Sequence, residues 1–341
     1  MKLSVPDATP PFAYREPPTS GNTINGLGET APRQAVQIFH GSGSRRLEWE
    51  LAELFFLLTM PFRLFWRGLV SRWYLRQADG PVAARRENID DPAAAAGRIK
   101  ARARELGAGA AGICSLTEQH YYQGVTPRYR TAIAIAYPMD FDEMMHVTDL
   151  RGGLETMRAY IEITKVVVAL ARDIRAMGWG AVAYCESADI LHLPIAIDAG
   201  LGELGKHGSL INRELGSNLR LATVLTEMPL QPDEPVDIAA DDLCLGCQRC
   251  TIDCPVDAIS DHKQLVRGIE KWYVDFDRCL PYFVKTYGCG ICIQVCPWTK
   301  PGRGPGLSAK LLAKRGVVPD GHGTGGSDEV NADTRRLGAG A

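Results

Sequence analysis

The chain has 341 residues, which is enough for one sizeable hydrophobic core and a smaller second module. Its 38 basic and 40 acidic residues give a net charge of −2, so it lacks the basic excess that is typical of a nucleic-acid-binding protein. Apart from 35 glycines and 10 cysteines, the composition is that of an ordinary globular protein. We therefore expect no nucleic-acid partner.

The first 90 residues divide into two parts of different character. Residues 1–45 are rich in Pro, Gly, Ser and Thr and show no periodicity, which predicts a disordered arm. Residues 46–90 begin with an amphipathic helical pattern that Pro61 should break or kink. The leucines on its apolar face are Leu47, Leu51, Leu54 and Leu58. The uncharged run is too short for a spanning helix, which needs about 20 residues.

Two interpretations of the segment 46–75 stay open. The helix packs on the main domain, or it lies in a membrane interface. The residues that favour the interface are Trp49, Phe62, Arg63, Phe65, Trp66, Arg67 and Arg72. Ser44-Arg45-Arg46 also resembles a twin-arginine export signal, but three glutamates interrupt the apolar region that should follow it. A cytoplasmic location is therefore the expectation.

Residues 91–236 predict an α+β core. Asp91 and Pro92 favour the start of a helix over 93–106, which Gly107 would end. Strands are predicted over 109–115, 131–137, 181–184 and 219–225, and a long helix over 154–177 ends before Gly178. A linker over 230–237 leads into a second module, 237–300, with a short strand over 272–274. The Gly-rich tail, 301–341, is predicted to be disordered.

Eight of the ten cysteines lie in the second module, in two similar runs. The first run has the pattern C-x2-C-x2-C-x3-C-P and the second C-x9-C-x2-C-x3-C-P. This is the ligand pattern of a two-cluster ferredoxin, in which the fourth cysteine of each run binds the other cluster. One 4Fe–4S cluster is therefore assigned to Cys244, Cys247, Cys250 and Cys296. The other is assigned to Cys254, Cys279, Cys289 and Cys292.

Zinc and disulfides explain this pattern less well. Zinc ribbons use paired C-x2-C knuckles without the x3-C-P extension. Disulfides are not expected in a chain without a secretory signature. The two remaining cysteines, Cys114 and Cys185, are interpreted as small buried hydrophobic residues.

The stretch Gly200-Leu-Gly-Glu-Leu-Gly205 matches the dinucleotide-binding pattern G-x-G-x-x-G. The context is poor, because a weak strand precedes it and Gly208 follows before a helix of useful length can form. A loop that brings the backbone close to another large cofactor is the favoured alternative. Tyr160, in the long helix, shows no signal of its own beyond that of a packed helix tyrosine.

Residues 91–300 resemble the cobalamin-dependent reductive dehalogenases and the related epoxyqueuosine reductases. The resemblance rests on four stretches: the sequence from Ala171 to Trp179, the glycine loop from Ala199 to Ile211, the stretch from Leu219 to Leu230, and the cysteine module with Lys271-Trp-Tyr-Val and Cys296-Pro-Trp. It implies a nitroreductase-like core that binds a base-off corrinoid, followed by a bacterial-ferredoxin-like module that supplies electrons. Gly200, Gly202, Gly205 and His207 would then lie against the corrinoid.

The resemblance also gives Tyr160 a role. Tyr160 falls where reductive dehalogenases carry their proton-donating tyrosine, and Arg158 stands where epoxyqueuosine reductases carry an aspartate. Donation leaves a phenolate that a nearby cation must stabilise, and Arg220 and then Lys206 are the candidates. The resemblance therefore implies a reductase that acts on a small substrate, such as an organohalide, and takes electrons from an external donor. The alternatives are a tRNA-modifying enzyme or an electron-transfer protein without a substrate.

Overall fold

The computed structural model describes residue 7 and residues 19–38, 61–185 and 189–317. The helices in these ranges are α1 (Gly21–Ile24), α2 (Phe62–Leu75), α3 (Pro92–Glu105), α4 (Phe141–Met144), α5 (Leu150–Ala176), α6 (His192–Asp198), α7 (Ala240–Gly246), α8 (Arg249–Ile252), α9 (Phe276–Lys285), α10 (Ile291–Gln294) and α11 (Gly304–Lys314). The strands are β1 (Ala110–Ser115), β2 (Thr131–Pro138), β3 (Ala181–Tyr184), β4 (Glu203–Leu204), β5 (Leu210–Ile211), β6 (Leu219–Thr226), β7 (Gln264–Val266) and β8 (Ile269–Lys271).

An antiparallel sheet of four strands, in the order β1-β2-β6-β3, lies at the centre of the core. Because side chains alternate along a strand, Ile133 and Ile135 point to one face and Ala132 and Ala134 to the other. Helices α3 and α5 cover the first face, and α6 covers the second. Both faces are buried, which explains why β2 is apolar along almost its whole length.

Helix α5 is the longest element and positions much of the candidate site. It begins at Leu150, four residues before the predicted start, and ends at Ala176, one residue before the predicted end. Ile163, Leu170 and Ile174 recur at helical spacing and are fully buried against the sheet. The chain leaves the helix through Gly178, whose φ of +82° favours glycine.

The other predicted core elements lie close to their expected positions. Asp91 caps α3 by accepting hydrogen bonds from the backbone N–H groups of Ala93 and Ala94. The predicted strand over 272–274 is wrong, since β8 ends at Lys271 and Val274 makes only an isolated bridge to Ile259.

The N-terminal arm is ordered over 19–38, contrary to the expectation of disorder. Asn22 fastens it to the cysteine module: its side-chain Nδ2 donates to Asp275 Oδ1 at 2.9 Å and its Oδ1 accepts from the N–H of Phe276 at 2.8 Å. Leu27 forms a bridge with Val266, and Ile38 packs with Leu280. Composition alone missed this arm because its partners are far away in the sequence.

The C-terminal tail contains α11, where disorder was predicted. Its apolar residues Leu307 and Leu311 pack against the core cluster around Cys244 and Trp298. Arg315, just after the helix, pairs with Asp237 at 2.6 Å and with Asp242. The Gly-Pro-Gly start hid this helix, because these residues are poor formers of a helix interior but are tolerated in the first turn.

Helix α2 begins directly after Pro61, which stands at its N-terminal boundary. The predicted leucine face upstream of it, the twin-arginine stretch and the remainder of the arm and tail lie outside the described residues. Among the helices that the structure describes, none has the length and apolar character needed to cross a membrane.

Candidate cluster-binding and active site

The first cysteine group consists of Cys244, Cys247, Cys250 and Cys296. Burial, together with the neighbouring Cys250 and Cys247, raises the pKa of the Cys244 thiol to about 11. Burial likewise raises the pKa of Cys296 to about 12, with added contributions from Cys244, Cys250 and Cys247. The structure therefore brings the last cysteine of the second run to the first three cysteines, as the crossover pattern predicts.

The second cysteine group consists of Cys254, Cys279, Cys289 and Cys292. Burial raises the pKa of Cys279 to about 12, and Cys289 and Cys254 add to this effect. The pKa of Cys292 is raised well above its usual value by burial and then by the nearby thiols, which include Cys250 of the first group. The two groups are thus neighbours.

These thiols fit a polynuclear iron cluster better than a single ion. Within the described ranges, no three His, Cys, Asp or Glu side chains are close enough to hold one metal ion. Because burial disfavours the thiolate, an iron core would supply the positive charge that a buried thiolate requires. Backbone N–H groups contribute too, with Lys206 donating to Cys244 Sγ at 3.5 Å and Ala258 to Cys254 Sγ at 3.3 Å.

The hairpin of β4 and β5 carries Lys206 and His207 to the first cysteine group. A cavity of about 280 Å³, counting the space that opens to solvent, lies there. It is lined by Lys206, His207, Leu243, Cys244, Cys247, Arg249, Cys250, Cys296, Pro297 and Trp298. Burial lowers the pKa of His207 to about 4, so the ring is neutral. Its Nδ1 accepts from the N–H of Ser209 at 3.2 Å, which leaves Nε2 to donate to Ser217 Oγ at 3.1 Å.

The predicted cofactor-binding glycines shape this hairpin. A Cβ at Gly200 would lie 2.6 Å from the carbonyl oxygen of Glu234, and one at Gly202 would lie 2.0 Å from that of Ile211. A Cβ at Gly205 would lie 2.7 Å from the His207 ring. The fold itself therefore requires glycine at these positions, and their contact with a corrinoid stays a prediction.

Tyr160 and Arg220 meet at the face of the sheet that α5 covers. Arg220 is on β6, on the same side as Ala222, and α5 carries Tyr160 to it. The guanidinium carbon of Arg220 lies 4.9 Å from the centroid of the Tyr160 ring. Arg220 Nη2 donates to Thr156 Oγ1 at 3.2 Å, one turn of α5 before Tyr160.

The Nε atom of Arg220 is buried and has no acceptor in the part of the chain that the structure describes. A buried donor without a partner is uncommon. In a site of this kind, a substrate or a cofactor side chain can provide the missing acceptor. The arrangement around Tyr160 therefore leaves one buried donor, Arg220 Nε, available to a bound polar group.

Arg158 has a different partner. Its Nε and Nη2 atoms donate to the two carboxylate oxygens of Glu155, each at 2.6 Å. Glu155 is buried and also accepts from the N–H of Asp140 at 2.7 Å. The pKa of Arg158 is raised, chiefly by its hydrogen bond to Glu155. Arg158 therefore stabilises the start of α5 and cannot replace an acid.

The second cysteine group lies beside the same part of α5. Cys289 packs against an apolar cluster that includes Ala159, the residue before Tyr160. A Cβ on Gly153 would be only 3.1 Å from Cβ of Tyr287, so the loop before Cys289 touches the helix directly. The first group instead packs with Trp272 and α11. The second group is therefore the one that lies against α5, the helix that carries Tyr160.

Comparison with known proteins agrees with this arrangement. Residues 243–300 match the family model described as a 4Fe-4S dicluster domain. The tetrachloroethene reductive dehalogenase of Sulfurospirillum multivorans is 36% identical over 140 residues, which cover 38% of this chain and 28% of that protein. The chain is related to the reductive dehalogenases.

Two further comparisons extend this relation. A solved structure of a catabolic reductive dehalogenase variant superposes with a TM-score of 0.69 at 25% identity, covering 77% of this chain and 40% of that one. The epoxyqueuosine reductase of Escherichia coli strain K12 is 34% identical over 134 residues, 34% of this chain and 32% of the relative. The chain thus spans between 28% and 40% of the length of these relatives.

Sequence reasoning missed two features of this site. Thr156, which holds Arg220, precedes Tyr160 by four residues, so helical spacing could have found it. Lys206 was the second candidate, after Arg220, for the cation beside Tyr160, but the structure brings it to the first cysteine group, where it donates to Cys247 O at 3.0 Å. No local sequence pattern shows whether Lys206 lies beside Tyr160 or at the first cysteine group, because the hairpin that carries Lys206 is placed by long-range packing.

Proposed function

We propose that this chain is a corrinoid-dependent reductase of the reductive dehalogenase type, which acts on a small organohalide with electrons relayed through two 4Fe–4S clusters. The observation that carries the proposal is the contact of Arg220 with Tyr160 on α5, the helix against which the second cysteine group packs. The mixed helix and sheet core would be a nitroreductase-like fold that holds the corrinoid base-off. Cys244, Cys247, Cys250 and Cys296 would bind one cluster, and Cys254, Cys279, Cys289 and Cys292 the other.

The chemistry that a bound corrinoid supplies is reductive cleavage of the carbon–halogen bond. In the net reaction, two electrons and one proton replace the halogen by hydrogen and release halide. A free tyrosine is protonated at neutral pH, since its pKa is about 10. Tyr160 would give its proton to the carbon, and the guanidinium of Arg220 would stabilise the phenolate that remains. The hydrogen bond that Arg220 donates to Thr156 Oγ1 holds that guanidinium over the ring.

An external one-electron donor would deliver electrons at the first cysteine group. The cavity at this group opens to solvent, and Leu245 and Ile252 beside it are exposed. The second group is adjacent to the first and lies against α5. Electrons would therefore pass from the donor to the first cluster, then to the second, and then to the site at Tyr160.

A tRNA-modifying reductase is the weaker candidate. The resemblance requires an aspartate where this chain has Arg158, and Arg158 is held by Glu155. An electron-transfer protein without a substrate would not need Tyr160 and Arg220 to be in contact. No observation favours either of these alternatives over the proposed reductase.

Cobalamin uptake tests the proposed function. The full chain, purified anaerobically with cobalamin supplied during expression, is expected to retain about one corrinoid per chain together with two 4Fe–4S clusters. The absorbance spectrum should show the corrinoid bands, and the supernatant should gain halide when dithionite, a viologen mediator and a bromophenol are added.

A protein that loads both clusters and never retains corrinoid would contradict the proposal and favour the electron-transfer alternative. Retained corrinoid without halide release from a panel of organohalides, together with conversion of epoxyqueuosine in a tRNA stem-loop, would favour the tRNA alternative.

Helix α2 supports a second proposal. The protein would be cytoplasmic and would contact an anionic membrane surface peripherally through this helix. Its buried side, with Leu64 and Ser71, packs toward α5, where Ser71 Oγ lies 3.4 Å from Thr164 Oγ1. The opposite side exposes large apolar residues at helical spacing, with Phe62 75% and Trp66 57% exposed. The exposed apolar residues are Phe62, Phe65, Trp66, Leu69 and Trp73. Arg63, Arg72 and Arg76 lie among them, whereas Arg67 donates to the backbone oxygen of Leu154 on α5, and the stretch 62–76 contains no acidic residue.

Vesicle binding checks this second proposal. The protein is expected to co-sediment with vesicles that contain phosphatidylglycerol and to bind vesicles of pure phosphatidylcholine at least about fivefold more weakly, because the arginines add electrostatic attraction. The double change Phe65→Glu and Trp66→Glu should abolish binding. Val236→Glu, at an exposed apolar residue outside α2, is the matched control. Equal binding by the double variant and the control would refute the assignment.

A further inference from the structure

Lys206 is a buried cation at the first cysteine group. Its side chain is 1% exposed, although lysine is almost never fully buried without a charged partner. The ammonium donates to the backbone oxygens of Cys247 at 3.0 Å and Asp261 at 3.4 Å. It also lies 4.8 Å from the centroid of the Trp272 ring. These contacts hold the charge in place without neutralising it.

The carboxylates nearby have other partners. Asp241 accepts from Trp272 Nε1 at 2.7 Å and forms a salt bridge with Lys263 at 2.8 Å. The side chain of Asp261 pairs with His262 at 2.7 Å, its backbone oxygen accepts from Lys206, and the charge of Lys206 makes a minor contribution to lowering the pKa of its carboxyl. Over the described ranges of the chain, no carboxylate oxygen lies within 4.0 Å of the Lys206 ammonium. An uncompensated buried charge is strongly unfavourable, so a negative partner is expected close by.

The first cysteine group provides that partner when it holds a 4Fe–4S core. Four thiolates make such a cluster negative overall, and one added electron makes it more negative. Lys206 is the buried cation that contributes to this site, since it lines the cavity and its charge acts on Cys250. Its backbone N–H also donates to Cys244 Sγ at 3.5 Å. Cluster potentials depend on such charges and on hydrogen bonds to sulfur.

We propose that Lys206 is a positioning residue that sets the reduction potential of the first cluster, by stabilising the form that has accepted one electron from the external donor. The inference rests on the dicluster domain and on the contacts of Lys206. It does not depend on corrinoid binding or on the substrate. The proposal also gives the two clusters different roles, because Lys206 acts on the first cluster only. The second group lies against α5 rather than against the hairpin that carries Lys206.

A redox titration of the full chain, followed by electron paramagnetic resonance, tests the proposal. In Lys206→Met, the ratio of reduced to oxidised first cluster at a fixed potential should fall at least about tenfold, which is a 59 mV shift for a one-electron couple. The other cluster should titrate as in the native protein. Lys206→Arg, which keeps the charge, should stay within about threefold of the native ratio, a smaller shift on the same scale.

Lys263→Met is the matched control. Lys263 also lies over Trp272, at 5.7 Å, but it is paired with Asp241 and is more exposed. In Lys263→Met, we expect the ratio of reduced to oxidised form at a fixed potential to change by no more than about threefold for either cluster. An iron-loaded Lys206→Met protein whose two titrations match those of Lys263→Met would overturn the proposal.

A variant that loses iron is also informative. If Lys206→Met cannot hold the first cluster, Lys206→Gln, which keeps a donor for Cys247 O, replaces it in the titration. Loss of the cluster from both neutral variants with retention in Lys206→Arg would support the pairing of charges. Loss from all three variants would overturn it, because the lysine would then be needed for its shape alone.

Discussion

The Cys292→Ala protein is expected to retain about half of the native iron, roughly four atoms per chain instead of eight, and to lose turnover completely. Cys292 belongs to the second cysteine group, and burial and neighbouring thiols raise its pKa well above the usual value. Its thiolate is therefore stable only with the positive charge of iron beside it. Loss of this cluster would interrupt the path to Tyr160. Iron and sulfide analysis, with paramagnetic resonance of the dithionite-reduced protein, provides the measurement.

The same experiment tests the crossover of the ligands. Cys254→Ala should remove the same resonance signal as Cys292→Ala, and Cys296→Ala should remove the other, although Cys292 and Cys296 are close in sequence. Cys114→Ala is the matched control: this thiol is also buried, and burial raises its pKa to about 12, but it lies in the core of the α+β domain. Pairing of Cys254 with the signal lost in Cys296→Ala would show that the ligand assignment is wrong.

Replacement of Tyr160 by phenylalanine is expected to lower kcat by about 10²- to 10⁴-fold, the usual contribution of a positioned proton donor. The phenyl ring keeps its place over Arg220, so the iron content and cobalamin uptake should match those of the native protein. The rate of halide release at saturating substrate is the measurement. A matching fall is expected for Arg220→Met, because the phenolate would lose the cation that lies 4.9 Å from its ring.

Tyr137→Phe is the appropriate control for this change. Tyr137 lies opposite Arg220 in the sheet, and its hydroxyl accepts only a long bond, 3.4 Å, from Arg158. Its loss should therefore change turnover by no more than severalfold. Equal rates for Tyr160→Phe and Tyr137→Phe would show that neither hydroxyl donates the proton, and the reductase would need another acid.

The two largest expected effects concern successive steps of one path. Cys292 lies in the cluster nearest α5, and Tyr160 lies on α5 itself. A Cys292→Ala protein should therefore fail to accept the second reducing equivalent, whereas a Tyr160→Phe protein should accept electrons normally and stall at protonation. Stopped-flow reduction followed at the cluster absorbance separates these two defects.

The cluster module and the α+β character of the core could both be predicted from local patterns in the sequence. Cysteine spacing is a local property, because a loop of fixed length must wrap three corners of a cluster. Helix α3 was found from Asp91, and β3 from its bounded apolar run, since caps and short apolar runs also act locally. Composition failed for α1 and α11, because their stability comes from partners more than 50 residues away, such as Asp275 and Asp237.

The contacts between residues that are far apart in the chain, in contrast, could not be predicted without the folded structure. Arg220 and Lys206 were both candidates for the cation that stabilises the Tyr160 phenolate. The sheet register puts Arg220 over Tyr160, whereas a short hairpin puts Lys206 at the first cysteine group. The folded structure also shows that the second cysteine group, and not the first, lies beside α5. These placements depend on packing between segments far apart in the chain, and single-chain periodicity carries no record of such contacts.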